Sequence, residues 1–227
     1  MNTQLIEKRI KNNSDELEVV SMFRTIQGEG PYTGHRSFFI RLAGCNLQCP
    51  GCDTDYTSNR KFLPIDHIIR AVRAAGPAPL LVVITGGEPF RQDITVLSSV
   101  LIALGYPVQV ETNGAFAPSE GLDRNVMIVC SPKTGSINKE MFLRADCFKY
   151  VMHADSVDPK DGLPILALDH SASPKVARPR QGWPVYLQPM DSKNIAQNER
   201  NLAAVVHSCM EYGYILQLQL HKIIGME

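Results

Sequence analysis

An excess of charge of either sign is missing from this sequence: Lys plus Arg and Asp plus Glu both total 23, so the formal net charge is zero. No global field then steers the chain to nucleic acid or to an anionic membrane, although a local basic patch stays open. Long apolar runs are missing too. The opening MNTQLIEKRIKNNSDELE has no signal-peptide core, and the run LLVVI is only long enough for a strand. Neither export nor a membrane span is expected, and the expected location is the cytoplasm. The pattern of a disulfide framework is absent as well. Six unevenly spaced cysteines in a reducing compartment point to metal or redox ligands instead. What is present is ordinary globular material: 227 residues, 44% hydrophobic and 20% charged, enough to bury a core in one α/β domain and too apolar for disorder.

The periodicity switches repeatedly between strand and helix. The charged opening, residues 1–16, reads as an exposed N-terminal arm, and residues 17–227 as a single domain. LEVVSMF (Leu17 to Phe23) and SFFIRLA (Ser37 to Ala43) are expected strands around the Gly-rich turn QGEGPYTG. Asp66 is expected to cap a helix running through Arg73, LLVVIT is a buried strand, and ITVLSSVLIAL a helix stopped by Gly105 and Pro107. Further strands are expected at VQVE, VMIVC, FKYVM and VYLQPM, then a helix from Asn194 to Tyr212 stopped by Gly213, and a last strand YILQLQL, Tyr214 to Leu220. Residues 153–182, rich in Asp, Ser and Pro, read as loop around the short element LPILAL. Strands alternating with helices argue for parallel βα units, and their number for a barrel or part of one.

After the apolar strands come bursts of small or polar residues: GGEP after Thr85, TNG after Glu111, SPK after Cys130, and QPMD. Ligands of α/β folds gather at the carboxyl ends of strands, so these bursts could share one mouth; each alone would be a turn. Cys45, Cys49 and Cys52 follow a C-x3-C-x2-C spacing with no fourth cysteine nearby. Three thiolates can hold a [4Fe–4S] cluster and leave one iron open to a small molecule. Zinc in a structural site would want a closed tetrahedral set, for which His35 and His67 are poorly spaced. Inert buried thiols are the third possibility, and a polar loop rich in Gly and Pro does not suit them.

The cysteine loop followed by GGEP resembles the radical S-adenosylmethionine (SAM) superfamily. The ordered set TIQGEGPYTG, FFIRLAGCN, CDTD, TGGEP, ETNG, SPK, LQPMD and a near-terminal HK is similar to the 7-carboxy-7-deazaguanine synthase family within it. The resemblance implies a partial (β/α) barrel of the radical SAM type, modified and small. It implies a ring-contracting lyase of queuosine and 7-deazapurine biosynthesis: hydrogen abstraction from 6-carboxy-5,6,7,8-tetrahydropterin, ring contraction, loss of ammonia, and return of the hydrogen to regenerate SAM. It also implies a homodimer and an electron donor such as flavodoxin.

Carried over position by position, the resemblance gives Cys45, Cys49 and Cys52 to the [4Fe–4S] cluster and Thr54 to a Mg2+ ion that also grips the substrate. Gly86, Gly87 and Glu88 would meet the SAM amino group, with Ser131, Pro132, Lys133, Gln188, Pro189, Met190 and Asp191 lining the rest of its pocket. Ile26, Gln27, Gly28, Glu29, Arg41, Thr85, Asn113 and His221 would bind the pterin, and Glu227 would close over it through its main-chain carboxylate. Glu111 sits at a matching polar strand end. Each role suits its chemistry: glycines let backbone approach a ligand, a guanidinium fork suits a carboxylate, and Mg2+ takes few protein ligands and hard oxygens. Taken singly, Arg41 is an ordinary surface charge, His221 a solvent-exposed histidine and Thr54 a turn cap. Gly51 departs from the superfamily pattern, which often has an aromatic residue before the third cysteine. Two rivals remain: a radical SAM activating enzyme working on a partner protein, and a non-catalytic zinc-binding module.

Overall fold

The computed structural model describes residues 2–10, 15–167 and 175–226; Glu227 and Leu168 of the LPILAL element lie outside the described residues. In chain order the elements are β1 (Glu16–Ile26), β2 (Arg36–Leu42), β3 (Lys61–Pro64), α1 (Ile65–Ala75), β4 (Leu81–Gly86), α2 (Thr95–Ala103), β5 (Val108–Thr112) and β6 (Met127–Cys130). Then come α3 (Lys139–Arg144), β7 (Cys147–Met152), β8 (Val185–Pro189), α4 (Ile195–Tyr212), β9 (Ile215–Leu216) and α5 (Leu220–Ile223). One nine-stranded sheet has the order β3-β1-β2-β4-β5-β6-β7-β8-β9. β1 runs antiparallel to β2 and β3, and from β2 to β9 every neighbouring pair is parallel.

The two faces of the strands differ. Phe38, Ile40 and Leu42 of β2, Val82 and Ile84 of β4, Val108 and Val110 of β5, Phe148 and Tyr150 of β7, and Val185 and Leu187 of β8 belong to one core that runs from Leu17 to Val205. It is closed by Ile68 and Val72 of α1, Leu97 and Leu101 of α2, and Val205 of α4. The alternate positions include Arg41, Thr85, Gln109, Glu111, Lys149 and Gln188 beside the apolar Phe39, Val83 and Val151. Because side chains alternate across a strand, the second face carries amides and charges where an ordinary open sheet would have either core or solvent.

The sheet curls to enclose that polar face. β1 and β8 are far apart in the strand order. Yet Glu29, just after β1, accepts from Gln188 of β8 (3.4 Å) and from Gln219 beyond β9 (2.8 Å). Gly30 N donates to Gln217 Oε1 (2.8 Å), and Leu220 N to the Gly28 carbonyl (3.2 Å). The two ends meet with no closing strand pair among the described residues, so the fold is a partial barrel. Among the described residues no helix is long and apolar enough to cross a membrane.

Two expectations are corrected, at the start of α1 and in the last strand, and two further elements are present. α1 is capped by Pro64 without a side-chain bond, and Asp66 sits in the first turn, where a negative charge favours the helix end. The last strand pairs only over Ile215–Leu216, because Gln217 and Gln219 turn inward to bond the opposite edge, and α5 follows. β3 and α3 were not legible: β3 is a four-residue edge strand on β1, and α3 is a short helix capped by Asn138. The arm is exposed on its outer side, with Leu5 at 74% and Ile6 at 63% exposure, but it is not free: Ile6 bridges Cys45. Within 153–182, Lys175 and Arg178 bind Asp158 and Asp161, tying the loop together with charge.

Candidate active site

At the carboxyl ends of the parallel strands lies a cavity of about 480 Å3, within the range of roughly 300–1,000 Å3 usual for small-molecule sites. Its walls are built from the bursts that punctuate the sequence: Gly86 and Gly87 at the end of β4, Thr112 and Asn113 at the end of β5, Ser131 and Lys133 after β6, and Gln188, Met190 and Asp191 at the end of β8. Pro50 to Thr54 of the cysteine loop form one side, and Lys222 of α5 reaches the rim.

The cysteine loop is seated by glycines. A Cβ on Gly87 would lie 2.1 Å from the Gly44 carbonyl oxygen and 2.8 Å from Cys45 Cβ, so only glycine lets β4 end against the loop. Gly44 has φ +77°, and a Cβ there would meet the Arg91 guanidinium at 2.3 Å. These glycines thus admit the loop as well as a ligand. Glu88 is fully buried and does not line the cavity. Its carboxylate accepts from Phe90 N (3.0 Å), Thr112 Oγ1 (2.7 Å) and Asn113 N (2.8 Å). Burial outweighs those donors and pushes its pKa up to about 7. Its role is to hold Thr112 and Asn113, which do face the cavity.

The floor is an ion pair network. Lys149 Nζ, from the interior face of β7, contacts Glu29 Oε2 at 2.5 Å and also binds Glu111 of β5. Gln109 (2.8 Å) and Gln27 (3.3 Å) donate to Glu111 Oε1. Burial favours the neutral acid at Glu29, but the Lys149 charge and the donors from Lys149 and Gln219 win and hold its carboxyl down at about 2. Lys149 is likewise held well above the usual lysine value: burial works against its charge, and the two carboxylates more than compensate. Lys133 differs. Its Nζ is held by the Ser131 carbonyl (3.1 Å) and hydroxyl (2.5 Å), it has no carboxylate partner among the described residues, and burial, then the Lys149 charge, lower its pKa.

Of the residues expected to bind SAM, Gly86, Gly87, Ser131, Lys133, Gln188, Met190 and Asp191 line this cavity, whereas Glu88, Pro132 and Pro189 do not. Of those expected at the substrate, Glu29 and Asn113 line it. Asn113 faces the cysteines, its Nδ2 lying 3.9 Å from Cys45 Sγ and 2.9 Å from Asn46 Oδ1. Ile26, Gln27, Gly28, Arg41, Thr85 and His221 lie outside the lining. Arg41 and Thr85 are register neighbours on β2 and β4. Arg41 stacks over Phe23 with its Cζ 5.3 Å from the ring, and its buried Nε has no hydrogen-bond partner among the described residues. Gly28 and His221 touch: a Cβ on Gly28 would fall 2.0 Å from His221 Nδ1. Glu227 lies outside the described residues.

Cys52 and Thr54 line the cavity, with Cys45 and Cys49 buried beside them. Burial pushes the Cys45 thiol up to about 12 and raises Cys49 and Cys52. A metal would reverse that preference, since a coordinating thiol loses its proton. His35 and His67 are both exposed. Among the described residues no three His, Cys, Asp or Glu side chains converge on a single ion. A cubane cluster takes one thiolate per iron and so does not need the three thiolates to share an ion, whereas a structural zinc site wants a closed set of four N or S ligands. The Thr54 hydroxyl lies 3.5 Å from Asp53 Oδ1 at the cavity edge, a hard-oxygen pair suited to Mg2+.

Sequence reasoning missed Lys149, Gln109, Gln219 and Arg91. The first two carried a signal: a polar residue at alternate positions within the apolar strands FKYVM and VQVE, which marks an inward polar face.

No protein-family model matches the sequence. Curated relatives do. A 7-carboxy-7-deazaguanine synthase of Rhodospirillum rubrum is 39% identical over 219 residues, covering 93% of each chain. One of Rickettsia prowazekii is 36% identical over 229 residues, covering 96% of this chain and 92% of its own. Among solved structures, QueE from Escherichia coli superposes with a TM-score of 0.68 over 89% of this chain and 93% of its own, at 24% identity, which supports the fold. At these identities over nearly the whole length, the chain belongs to the 7-carboxy-7-deazaguanine synthase family.

Proposed function

We propose that this chain is a radical SAM lyase that contracts 6-carboxy-5,6,7,8-tetrahydropterin to 7-carboxy-7-deazaguanine with release of ammonia, using a [4Fe–4S] cluster, SAM and Mg2+. The observation that carries the reading is convergence. The third cysteine, the Gly86-Gly87 strand end, the Ser131-Lys133 strand end and the Gln188 to Asp191 run all open into one cavity floored by Glu29, Lys149 and Glu111.

Cys45, Cys49 and Cys52 would hold the cluster, whose chemistry is one-electron reduction of the bound sulfonium. The chain's own part is to orient ligands and exclude water. The Asn113 amide beside Cys45 Sγ is placed to hydrogen-bond a ligating sulfur, which tunes a cluster's potential. Gly86, Gly87, Ser131, Lys133, Gln188, Met190 and Asp191 supply the SAM walls, with Glu88, Pro132 and Pro189 adjacent in sequence. For the substrate, Arg41 is a half-buried guanidinium with an orphaned Nε, a group that a carboxylate would satisfy. Glu29 is ionised and acceptor-only, suited to N–H groups of a pterin ring. Ile26, Gln27, Gly28, Thr85, Asn113 and His221 complete that side, with Glu227 assigned by resemblance. Thr54 is the Mg2+ ligand of this reading.

A flavodoxin-like one-electron donor and a homodimer belong to the same proposal. β9 leaves the sheet edge open, and Met210, Ile215, Leu216, Ile223 and Ile224 are exposed around it, which is apolar surface of the kind that subunits cover. The deciding assay is anaerobic reconstitution followed by incubation with SAM, reductant, Mg2+ and carboxytetrahydropterin. A brown protein with about four irons per chain that makes the deazaguanine is expected. A colourless protein holding one zinc would overturn the cluster. SAM cleavage without the deazaguanine would overturn the substrate.

A further inference from the structure

The N-terminal segment 2–10 has no part in the reading above, yet its inner edge lies along the cysteine loop. The Gln4 side chain clamps the stretch after the third cysteine: Nε2 donates to the Thr54 carbonyl (2.9 Å), while Oε1 accepts from Tyr56 N (2.7 Å) and Thr57 Oγ1 (3.1 Å). The Gln4 carbonyl accepts from Gln48 Nε2 (2.7 Å), between the first and second cysteines. Asn2 Nδ2 donates to the Cys49 carbonyl (3.3 Å) and Glu7 N to the Cys45 carbonyl (2.7 Å). The far end is anchored on the β4 side: Ile10 N donates to the Arg91 carbonyl (2.9 Å), and Glu7 pairs with Arg91 (3.3 Å) and Arg60.

The pattern is selective. Within the cysteine loop, the carbonyls that the segment satisfies belong to two candidate cluster ligands and to the candidate Mg2+ ligand. A loop made of Gly, Pro and polar residues has no regular ladder to satisfy its own backbone, so its geometry depends on what packs against it. We propose that residues 2–10 are a positioning strap for the cysteine loop, with Gln4 as its central clamp; this rests on the reading of that loop as the cluster carrier. The strap acts through backbone placement and touches neither SAM nor substrate.

The test compares the unmodified chain with Gln4→Ala, Gln4→Glu and Asn2→Ala after anaerobic reconstitution. Iron per chain is counted, and loss of the brown absorbance to an iron chelator is timed. Gln4→Ala removes the three side-chain bonds to the loop, and iron release is expected to be about three- to tenfold faster. Gln4→Glu keeps the acceptor for Tyr56 N and Thr57 but loses the donor to Thr54, so its release rate should fall between. The thermal midpoint of the iron-free proteins should barely differ, which separates positioning from general stability. If the unmodified chain takes up no cluster, the cysteine reading fails. If it loads fully and Gln4→Ala and Asn2→Ala release iron at the unmodified rate, the strap is overturned; should Gln4→Ala not fold, Gln4→Glu and Asn2→Ala decide by the same comparison.

Discussion

The rim and the floor of the cavity are built by opposite means. The rim is backbone: strand ends and a cysteine loop fitted together through Gly44, Gly86 and Gly87, where an added Cβ would meet neighbouring atoms at 2.1–2.3 Å. The floor is side chain: Lys149 held between Glu29 and Glu111, with Gln27, Gln109, Gln188 and Gln219 bonded to the two carboxylates. A rim of that kind gives access and tolerates exchange of ligand contacts. A floor of that kind fixes charge in a desolvated place, and each member depends on the others.

The sharpest break of this contrast is Lys149→Met. Removing the cation leaves two facing carboxylates without compensation, which costs roughly 3–5 kcal/mol and lowers the thermal midpoint by roughly 6–20 °C in a chain of this size. Adding Glu29→Gln and Glu111→Gln should recover part of the loss. A single variant that melts within about 2 °C of the unmodified protein would show that the floor is not a coupled unit.

Acid tests the same network without removing the cation. The Glu29 carboxyl is held at about 2 against an ordinary 4.5. Between those values the unfolded chain binds more protons, so the stability that Glu29 contributes is present above 4.5 and lost as pH falls toward 2. Asp55 and Asp158 are also held at about 2 by local donors and contribute to the same fall. The informative quantity is therefore a difference. Urea midpoints from pH 5 down to 3 should fall less steeply in Glu29→Gln than in the unmodified chain, by up to about one proton. Equal slopes would place the Glu29 ionisation outside folding.

This contrast also explains what the sequence disclosed. The rim was legible because it is local: each burst of Gly, Pro, Asn or Ser interrupts an apolar run, and the three cysteines stand within one loop. The partial barrel was legible from the alternation of strands and helices. The floor was not, because Lys149 is 120 residues from Glu29 and 38 from Glu111, and no short window contains the pair. The strap was hidden for a related reason. Asn2 and Gln4 work through side-chain amide hydrogen bonds, most of them to backbone, which leave no hydrophobic period, so MNTQLIEKR read as an exposed arm. YILQLQL misled in the other direction: its alternation is that of a strand, but Gln217 and Gln219 use their amides to join the two edges of the sheet, and the ladder ends after Leu216.

The smallest expected effect lies at the rim. Lys222 Nζ is 3.8 Å from Asp53 of the cysteine loop and 3.8 Å from Asp191 at the end of β8, with side-chain exposures of 36%, 75% and 25%. Pairs this long and this open are screened by solvent and contribute little. Lys222→Ala should move the thermal midpoint by less than about 3 °C, and by nothing measurable in molar salt. If α5 instead depended on this charge, the variant would lose stability on the scale of the floor. The seating observed for α5 argues against that, since Leu220 N bonds the Gly28 carbonyl and His221 occupies the space that a side chain at position 28 would need.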